Sequence, residues 1–449
     1  MQKSNAKTVI VGLGKTGLSC ARYLHERHRR VTVIDSRSTP PEITALQKLA
    51  PEIEIRVGGF DVSVLEDAVE VIASPGVSLR EPILQAAMRR NIPIIGDIEL
   101  FARSANVPVV GITGTNGKST VTTMVAHMAD VAGKRTLAGG NLGRPALDLF
   151  ETATPELYVL ELSSYQLETT HSLKLVAAAV LNVTADHLDR YDDMNAYAAA
   201  KARIFDRAEI AVINADDERV RAMPKHDQTT ISFSVRQNSD ASYSIKGVGA
   251  DVELTRHGVP LIAMSELKLS GLHNAANALA ALAICEALRL DRGACVNALR
   301  DFSGLPHRAQ LVAEVKGVRY IDDSKGTNVG ATLAAVTGMS GPLIVIAGGQ
   351  GKGQDFAPLA AAFKGKVRLV VLIGQDAKQL AAALAHVCKC EFASSMASAV
   401  ARSAGVALSG DTVLLSPACA SLDMFRDYAH RGESFAAAVR ELQPRELQA

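Results

Sequence analysis

A lysine and two hydroxyl residues end a glycine-rich turn, in the segment Gly111-Ile112-Thr113-Gly114-Thr115-Asn116-Gly117-Lys118-Ser119-Thr120. In a turn of this kind, backbone N–H groups cradle phosphates, Lys118 neutralises the β- and γ-phosphates, and Ser119 or Thr120 can reach Mg²⁺. The first glycine of the usual P-loop motif would fall on Ile112, so Gly111 lies one residue too early. A chance glycine turn would need neither the lysine nor the hydroxyls, and the segment therefore predicts ATP binding.

A second nucleotide signal is Gly12-Leu13-Gly14-Lys15-Thr16-Gly17, which follows an apolar run and opens a helical pattern. Its glycines allow a tight turn that brings backbone N–H groups and a helix N-terminus close to a phosphate. Asp35 ends the next strand, where a ribose-binding acid would lie in a dinucleotide fold. Taken alone, the pattern favours NAD, but other nucleotides use the same crevice and a purely structural turn stays open.

Two further side chains could hold a metal ion beside the ATP turn. Glu161 ends an apolar run and His187 follows another, and such strand ends converge in an open parallel sheet. Mg²⁺ prefers oxygen ligands, so the carboxylate suits it better than the imidazole does. The alternatives are a helix-capping acid and a loop histidine. Lys201 lies one helical turn after Tyr197, and from the residues alone it is a surface lysine.

A parallel sheet is needed to bring these residues together. Short apolar runs alternate with helical patterns, which is typical of parallel strands covered on both faces. Segment 231–269 instead alternates Thr, Ser, Val and Tyr with polar residues, which predicts antiparallel strands. An Ala- and Leu-rich helix should follow at about 273–290. The other predicted strands are 8–11, 31–34, 71–73, 92–95, 107–112, 157–160, 177–181, 210–214, 319–322, 343–347, 369–373 and 412–415.

Composition limits the class of protein. The 449 residues suit two or three domains, and 48 Lys and Arg against 47 Asp and Glu give a formal net charge of +1. Balanced charge and 4% aromatic residues argue against a nucleic-acid binder. The six scattered cysteines form no disulfide framework and are expected to be reduced. No segment predicts a signal peptide or a membrane span.

The segment from Thr113 to Thr120 resembles the fingerprint of the ATP-dependent Mur ligases and the folylpolyglutamate synthases. Further blocks resemble the Mur ligases in family order over essentially the whole chain: 96–101 (GDIELF), 160–168 (LELSSYQLE), 181–187 (LNVTADH), 305–308 (LPHR), 323–328 (DSKGTN) and 416–423 (SPACASLD). The resemblance implies three α/β domains with mostly parallel sheets. They are a Rossmann-like N-terminal domain (1–96) for a UDP-linked substrate, a P-loop-type central domain (97–304) for ATP, and a Rossmann-like C-terminal domain (305–449) that binds D-glutamate and closes on ATP.

The resemblance also implies roles around ATP. The nucleotide would contact Gly114, Thr115, Asn116, Gly117, Lys118, Ser119, Thr120, Asn274, Asn277, Arg308 and Asp323. Lys118, His187, Lys201 and Lys325 would be catalytic, and Ser119, Glu161, His187 and Lys201 would hold two Mg²⁺ ions. Lys201 would first react with CO₂, because the carbamate is an anionic oxygen ligand whereas an ammonium repels metal. Helix capping is the alternative for the two Asn residues.

For the substrates, the resemblance implies two sets of contacts. Leu13, Thr16, Asp35, Arg37 and Gly76 would lie near the uridine and diphosphate, with Asn141 at the sugar end. Thr327, Lys352, Ser421, Leu422 and Tyr428 would bind D-glutamate. Without the resemblance, Lys352 is a loop lysine and Ser421 a helix cap. Three residues depart from the family pattern: Lys15 replaces an apolar residue, Asp322 a neutral one and Tyr428 a phenylalanine.

The implied reaction starts when ATP phosphorylates the carboxylate of UDP-N-acetylmuramoyl-L-alanine, and the amine of D-glutamate then attacks the acyl phosphate. One alternative is an amide ligase of the superfamily that adds another amino acid or acts on folate. An NAD-dependent oxidoreductase would leave the second glycine motif unused, and a non-catalytic nucleotide sensor would leave Glu161, His187 and Lys201 unexplained. We expect a cytoplasmic monomer that binds neither nucleic acid nor membrane.

Overall fold

The computed structural model describes residues 6–187, 190–237, 239–247, 251–269, 271–339 and 341–442. Within them, three α/β units follow one another, each with a mostly parallel sheet, so the predicted fold class is confirmed. Residues 1–5 and 443–449, at the outer ends of the predicted domains, lie outside the described residues.

The first unit has the strand order β3-β2-β1-β4-β5, with all neighbours parallel. Strands β2 and β3 are added on one side of β1, and β4 and β5 on the other, so the strand order reverses between β1 and β4, and in such sheets a ligand crevice opens at the carboxyl ends there. The first glycine turn follows β1 and therefore faces this crevice. The elements are β1 (Lys7–Val11), α1 (Lys15–His25), β2 (Arg30–Asp35), α2 (Ile43–Leu49), β3 (Glu54–Val57), β4 (Ala68–Ala73), α3 (Pro82–Arg89) and β5 (Ile94–Ile95), followed by α4 (Asp97–Ala102).

The central sheet has the order β14-β13-β12-β11-β10-β9-β6-β8-β7. Because β6 lies between β9 and β8, the turn after β6 is flanked by the segments that follow both neighbours. The strands are β6 (Val109–Thr113), β7 (Thr136–Gly140), β8 (Leu157–Glu161), β9 (Leu175–Val180), β10 (Ala208–Asn214), β11 (Thr229–Phe233), β12 (Tyr243–Lys246), β13 (Glu253–Arg256) and β14 (Val259–Ala263). The helices are α5 (Lys118–Val131), α6 (Ser164–Glu168), α7 (Met194–Ala202), α8 (Glu218–Arg221), α9 (Leu272–Ala287) and α10 (Arg292–Asp301).

The antiparallel prediction for segment 231–269 is wrong for its first strand. β11 pairs with β10 in parallel, because α8 returns the chain to the amino end of the sheet before β11 begins. The strands β12, β13 and β14 do pair antiparallel, as predicted. Residues 238 and 248–250 of this segment lie outside the described residues.

The third sheet has the order β15-β16-β20-β17-β18-β19, parallel except for the hairpin of β15 and β16. Since β16, β20 and β17 are neighbours, the loops that follow them meet at one edge. The elements are β15 (Gln310–Val315), β16 (Val318–Asp322), α11 (Val329–Gly338), β17 (Leu343–Gly348), α12 (Pro358–Phe363), β18 (Val367–Ile373), α13 (Ala377–Leu384), β19 (Lys389–Phe392), α14 (Met396–Val406), β20 (Thr412–Leu415) and α15 (Tyr428–Arg440).

Apolar packing joins the first two units more closely than the third. One core cluster contains Ile10 and Val33 of the first sheet together with Tyr158 and Leu160 of the central sheet. The two large clusters of the third unit contain residues of that unit alone. Among the described helices, none has the length and apolar character needed to cross a membrane.

Candidate active site

The turn between β6 and α5 depends on glycine where it meets α9. Gly117 has φ of 86°, and a Cβ there would lie 2.5 Å from Asn277 Oδ1. Lys118 begins α5 and folds back, because its Nζ donates to the carbonyls of Gly114 and Thr115, each at 2.9 Å. A cation held only by two neutral carbonyls is suited to exchange them for phosphate oxygens.

The segment after β9 fixes the shape of this turn. Asn182 accepts from the N–H groups of Thr115 and Asn116, through its carbonyl at 2.9 Å and its Oδ1 at 2.8 Å. Its own amide donates to the carbonyl of Asn116 at 3.0 Å. Asn182 lies in a block that carries the family resemblance, but the sequence predicted no role for it. Its side chain pairs with the backbone of the turn, which sequence spacing does not reveal.

Lys201 is buried against the turn, so the interpretation from the residues alone, a surface lysine, is wrong. The side chain is 1% exposed, its Nζ donates to the Gly114 carbonyl at 3.0 Å, and it lies 4.4 Å from the centroid of the Tyr197 ring. The face of α7 that carries Tyr197 packs against the P-loop, and this places Lys201 inside. Burial, reinforced by Lys118, lowers the pKa of Lys201 well below its usual range.

Glu161 presents an unpaired carboxylate oxygen beside the P-loop. The residue ends β8 and is 2% exposed. Its Oε1 accepts from Asn141 Nδ2 at 2.7 Å, while its Oε2 is buried without a hydrogen-bond partner. Asn141, predicted to contact the sugar end of the UDP-linked substrate, therefore lies against a predicted metal ligand.

His187 lies against two tyrosines. Its backbone is left-handed, with φ of 57°, and its ring centroid lies 5.0 Å from that of Tyr165 and 6.1 Å from that of Tyr197. Its Nε2 is 3.7 Å from Asp186 Oδ2. Burial lowers the pKa of His187 although Asp186 opposes the shift, so the imidazole is neutral near pH 7.

These residues fit a magnesium site. Ser119 and Glu161 supply the oxygen donors that Mg²⁺ prefers, and the buried, unpaired Glu161 Oε2 is an orphan that a cation would satisfy. Across the described part of the chain, no group of three or more His, Cys, Asp or Glu side chains is arranged to hold a metal ion.

Polar contacts bring the third unit onto the P-loop. Arg308 Nη2 donates to Ser119 Oγ at 2.7 Å. Asn328, which caps α11, donates to Asn116 Oδ1 and to Asp186 Oδ2, both at 3.1 Å. Asn328 and Asp186 lie in blocks that carry the family resemblance, but neither was predicted as a site residue. Contacts between two domains leave no periodic signal in the sequence.

A cavity of about 280 Å³ lies where the P-loop, α9 and the start of α11 meet. Its walls include Asn116, Gly117, Thr120, Asn274, Asn277, Arg308, Asp323 and Lys325, all of them predicted site residues. Asn277 Nδ2 donates to Asn274 Oδ1 at 3.3 Å, so the two amides form one polar patch. His273, which also lines the cavity, has a buried Nδ1 without a partner. Seven of the eleven residues predicted for ATP therefore surround one space, and the other four, Gly114, Thr115, Lys118 and Ser119, belong to the adjoining turn.

Charged groups in this cavity are strongly desolvated. Burial raises the pKa of Asp323 to about 7, although Ser416 and Arg308 oppose the rise. Burial, together with Arg308, lowers the pKa of Lys325 to about 8. A cleft in which basic groups partly lose their charge favours an anionic ligand, whose binding would restore it.

The predicted D-glutamate residues lie on the loops after β16, β17 and β20 and at the start of α15. The Lys325 Nζ lies 3.8 Å from the centroid of the Tyr428 ring. Ser421 is buried, whereas Leu422 is exposed. The charge of Lys352 helps lower the pKa of His187, so this loop faces the central domain. Thr327 is half-buried, and its N–H donates to the Lys325 carbonyl at 2.8 Å.

The first glycine turn lines a separate cavity of about 370 Å³, together with Thr16, Asp35, Arg37 and Gly76. Asp35 accepts from the Leu13 N–H at 2.7 Å, and its two oxygens receive Arg37 Nε at 2.8 Å and Nη2 at 2.6 Å. Burial opposes the charged form, but Arg37 and the backbone donors outweigh it and hold the pKa of Asp35 at about 2. Asp35 thus orients Arg37 and the turn.

Comparison with known proteins agrees with this arrangement. Family models match along the chain in order: the Mur ligase MurD-like N-terminal domain over residues 6–96, the Mur ligase middle domain over 112–285 and the Mur ligase glutamate ligase domain over 307–419. Three matching domains in one chain define the class, and the chain belongs to the Mur ligase family.

Its relatives include the UDP-N-acetylmuramoylalanine–D-glutamate ligases of Nitrosococcus oceani and Methylobacillus flagellatus. The first is 51% identical over 439 residues, which is 97% of each chain, and the second is 48% identical over 453 residues, covering all of both chains. A solved structure of a pseudomurein peptide ligase type C from Methanothermus fervidus shares the fold. Its TM-score is 0.64 at 17% identity, covering 98% of this chain and 100% of the other.

Proposed function

We propose that this chain is an ATP-dependent amide ligase that adds D-glutamate to UDP-N-acetylmuramoyl-L-alanine. The observation that carries the proposal is the group of basic side chains at the P-loop. Lys118 and Lys201 donate to the same carbonyl, of Gly114, and Arg308 reaches Ser119 from the third unit. Lys118 and Arg308 are the desolvated cations of this group, since Lys201 is proposed to become a carbamate, and desolvated cations at one place require an anionic partner, which ATP and an acyl phosphate provide. The names of the full-length relatives support the same reaction.

In the first step, the carboxylate of the UDP-linked substrate takes the γ-phosphoryl group of ATP, giving an acyl phosphate and ADP. Lys118 leaves its two carbonyls for the β- and γ-phosphates, and Arg308 neutralises charge from the opposite side. The amides of Asn274 and Asn277 hold the adenine, and Asp323 holds the ribose. Asp35 keeps Arg37 directed at the diphosphate of the UDP-linked substrate.

Ser119, Glu161 and His187 are the residues proposed to hold Mg²⁺, which when bound supplies Lewis-acid stabilisation of phosphate charge. Burial lowers the pKa of Lys201 and so favours its neutral amine, the form that adds CO₂ and loses one proton to become a carbamate. Its remaining N–H can still donate to the Gly114 carbonyl. The modified side chain then offers anionic oxygens for a second ion.

In the second step, the amine of D-glutamate attacks the acyl phosphate and phosphate leaves. Lys352, Ser421, the Leu422 N–H and Thr327 hold the amino acid, and the Tyr428 ring closes the pocket. Lys325 is cationic below its pKa of about 8 and stabilises the oxyanion that forms during attack. No covalent bond to the protein is needed.

We also propose the domain extents 1–96, 97–304 and 305–449, which the limits of the three family models support. The protein is proposed to act as a monomer in the cytoplasm, where ATP and the UDP-linked precursor are both available.

Phosphate release tests this function. With ATP, Mg²⁺ and UDP-N-acetylmuramoyl-L-alanine present, D-glutamate should start the release of one phosphate per amide formed. L-Glutamate and meso-diaminopimelate should be poor replacements, and NAD should stay unreduced throughout. Faster release with another amino acid or with a folate would change the substrate assignment, and no release with any acceptor would overturn the ligase.

A further inference from the structure

A buried arginine joins the segments that carry the proposed D-glutamate contacts. Arg431, on α15, is 0% exposed. Its Nε donates to Ser324 Oγ at 3.0 Å, its Nη2 to the Ser324 carbonyl at 2.8 Å and its Nη1 to the Cys419 carbonyl at 3.0 Å. One guanidinium therefore ties the loop after β16 to the loop after β20.

Both loops bear residues assigned to the reaction. Ser324 directly precedes Lys325, and its hydroxyl also donates to the carbonyl of Tyr428 at 2.7 Å. Cys419 lies two residues before Ser421, whose side chain is buried. Arg431 thus joins the segments that carry three groups of the proposed pocket, which are the Lys325 cation, the Ser421 hydroxyl and the Tyr428 ring.

An arginine is needed for this contact pattern. Its planar fork directs separate N–H groups at acceptors on two segments, whereas the donors of a lysine all leave one nitrogen. Burial lowers the pKa of Arg431 to about 10, so the side chain stays cationic at pH 7. Simple packing on α15 could be met by an apolar residue, as it is by Phe435, which is also 0% exposed.

We infer that Arg431 is a positioning residue that fixes the Lys325 and Ser421 sides of the amino-acid pocket relative to each other. This inference rests on the proposed function. Because Arg431 is fully buried, with its guanidinium bonded to Ser324 and Cys419, we assign it an action through these two residues.

The test compares Arg431→Lys with Phe435→Leu, a control on the same helix that loosens apolar packing without removing any hydrogen bond to either loop. Arg431→Lys should raise the KM for D-glutamate by about tenfold or more and the KM for ATP by less than about twofold. Phe435→Leu should lower the melting temperature and leave the ratio of the two KM values unchanged. Equal rises in both KM values for Arg431→Lys would overturn the inference.

Ser324→Ala decides the matter if Arg431→Lys does not fold. It removes one acceptor of the guanidinium and the bond to the Tyr428 carbonyl, so the KM for D-glutamate should rise about three- to tenfold. An unchanged KM for D-glutamate in this variant would overturn the inference. A wild-type enzyme without D-glutamate-dependent phosphate release would instead overturn the proposed function.

Discussion

In the first domain, the glycine turn after β1 faces one guanidinium paired with one carboxylate, whereas the turn after β6 in the central domain faces several basic groups and an incompletely paired acid. Arg37 donates to both carboxylate oxygens of Asp35. This pairing lowers the pKa of Asp35 against the effect of burial and raises the pKa of Arg37. At the P-loop, burial lowers the pKa values of Lys118 and Lys201, and Glu161 keeps an oxygen without a partner.

We infer from this difference that the turn after β1 only binds a phosphate, whereas the turn after β6 also takes part in its reaction. The ion pair of Asp35 and Arg37 has no net charge, and it can orient a diphosphate that does not change during the reaction. A buried cation has lost its hydration, so an incoming anion stabilises its charged form. Such a cation also stabilises the negative charge that moves in the transition state. The same turn geometry can therefore serve binding in one domain and catalysis in the other.

The comparison predicts its largest effect for the lysines of the two turns. Lys118→Ala should lower kcat for D-glutamate-dependent phosphate release by about 10³-fold or more, because it removes a cation from the transferred phosphoryl group. Lys15→Ala should change the KM for the UDP-linked substrate a few-fold and leave kcat within about twofold, because Lys15 is exposed in the binding turn. Similar losses of kcat in both variants would abolish the distinction.

Lys201→Ala should lower kcat by about 10²-fold, because the proposed carbamate ligand is lost. Acetate or another short carboxylic acid should restore part of the rate by occupying the position of the carbamate. The rate of Lys118→Ala should not respond to the acid. Absence of rescue at every acid concentration would leave Lys201 a structural lysine.

Lys352→Ala should raise the KM for D-glutamate by about 10- to 150-fold, the effect of losing a charge-assisted contact worth about 1.5–3 kcal/mol. The KM for ATP should change little. Lys364→Ala, an exposed lysine of the same domain, serves as the control and should change neither constant. A larger effect on ATP would assign the Lys352 loop to the nucleotide.

The pH profile tests the desolvated state of the reaction cleft. Lys325, with a pKa of about 8 in the free protein, carries its charge below that pH and loses it above. We expect kcat/KM for the UDP-linked substrate to fall above pH 8, approaching about tenfold per pH unit. Lys325→Arg should lack this alkaline limb up to pH 10, at a lower absolute rate. A limb that persists in the arginine variant belongs to another group.

We expect the smallest change in kinetic constants at the glycine turn after β1, beside the ion pair of Asp35 and Arg37. Arg37→Met should raise the KM for the UDP-linked substrate by roughly three- to tenfold and leave kcat unchanged, because the contact is partly exposed and does not change during the reaction. A change in kcat would show that the first domain also takes part in the chemistry.

Sequence alone predicted the central strands and missed edge strands. Those it missed, β3, β7, β15 and β19, each lie at the end of a sheet. An edge strand has one open side, so its residues need not form an apolar run; β3 and β19, for example, have half-exposed or exposed residues throughout. Fully covered strands such as β17 are buried along their whole length and stand out.

The site residues that could be predicted from sequence are likewise those positioned by the central strands. Residues at or directly after the end of a strand, such as Glu161 and Asp323, could be predicted because the strand fixes their position. Asn182 and Arg431 act through contacts with distant segments, and neither their type nor their spacing reveals those partners. Lys201 was recognised only through the family resemblance, because its burial depends on how α7 packs.

The most direct test follows the oxygen atoms of the substrate carboxylate. UDP-N-acetylmuramoyl-L-alanine labelled with ¹⁸O in both carboxylate oxygens is incubated with ATP, Mg²⁺ and D-glutamate, and the released phosphate is analysed by mass spectrometry. An acyl phosphate transfers one labelled oxygen to each phosphate and leaves the other in the amide. Phosphate without label, formed together with the amide, would contradict activation of the carboxylate by ATP.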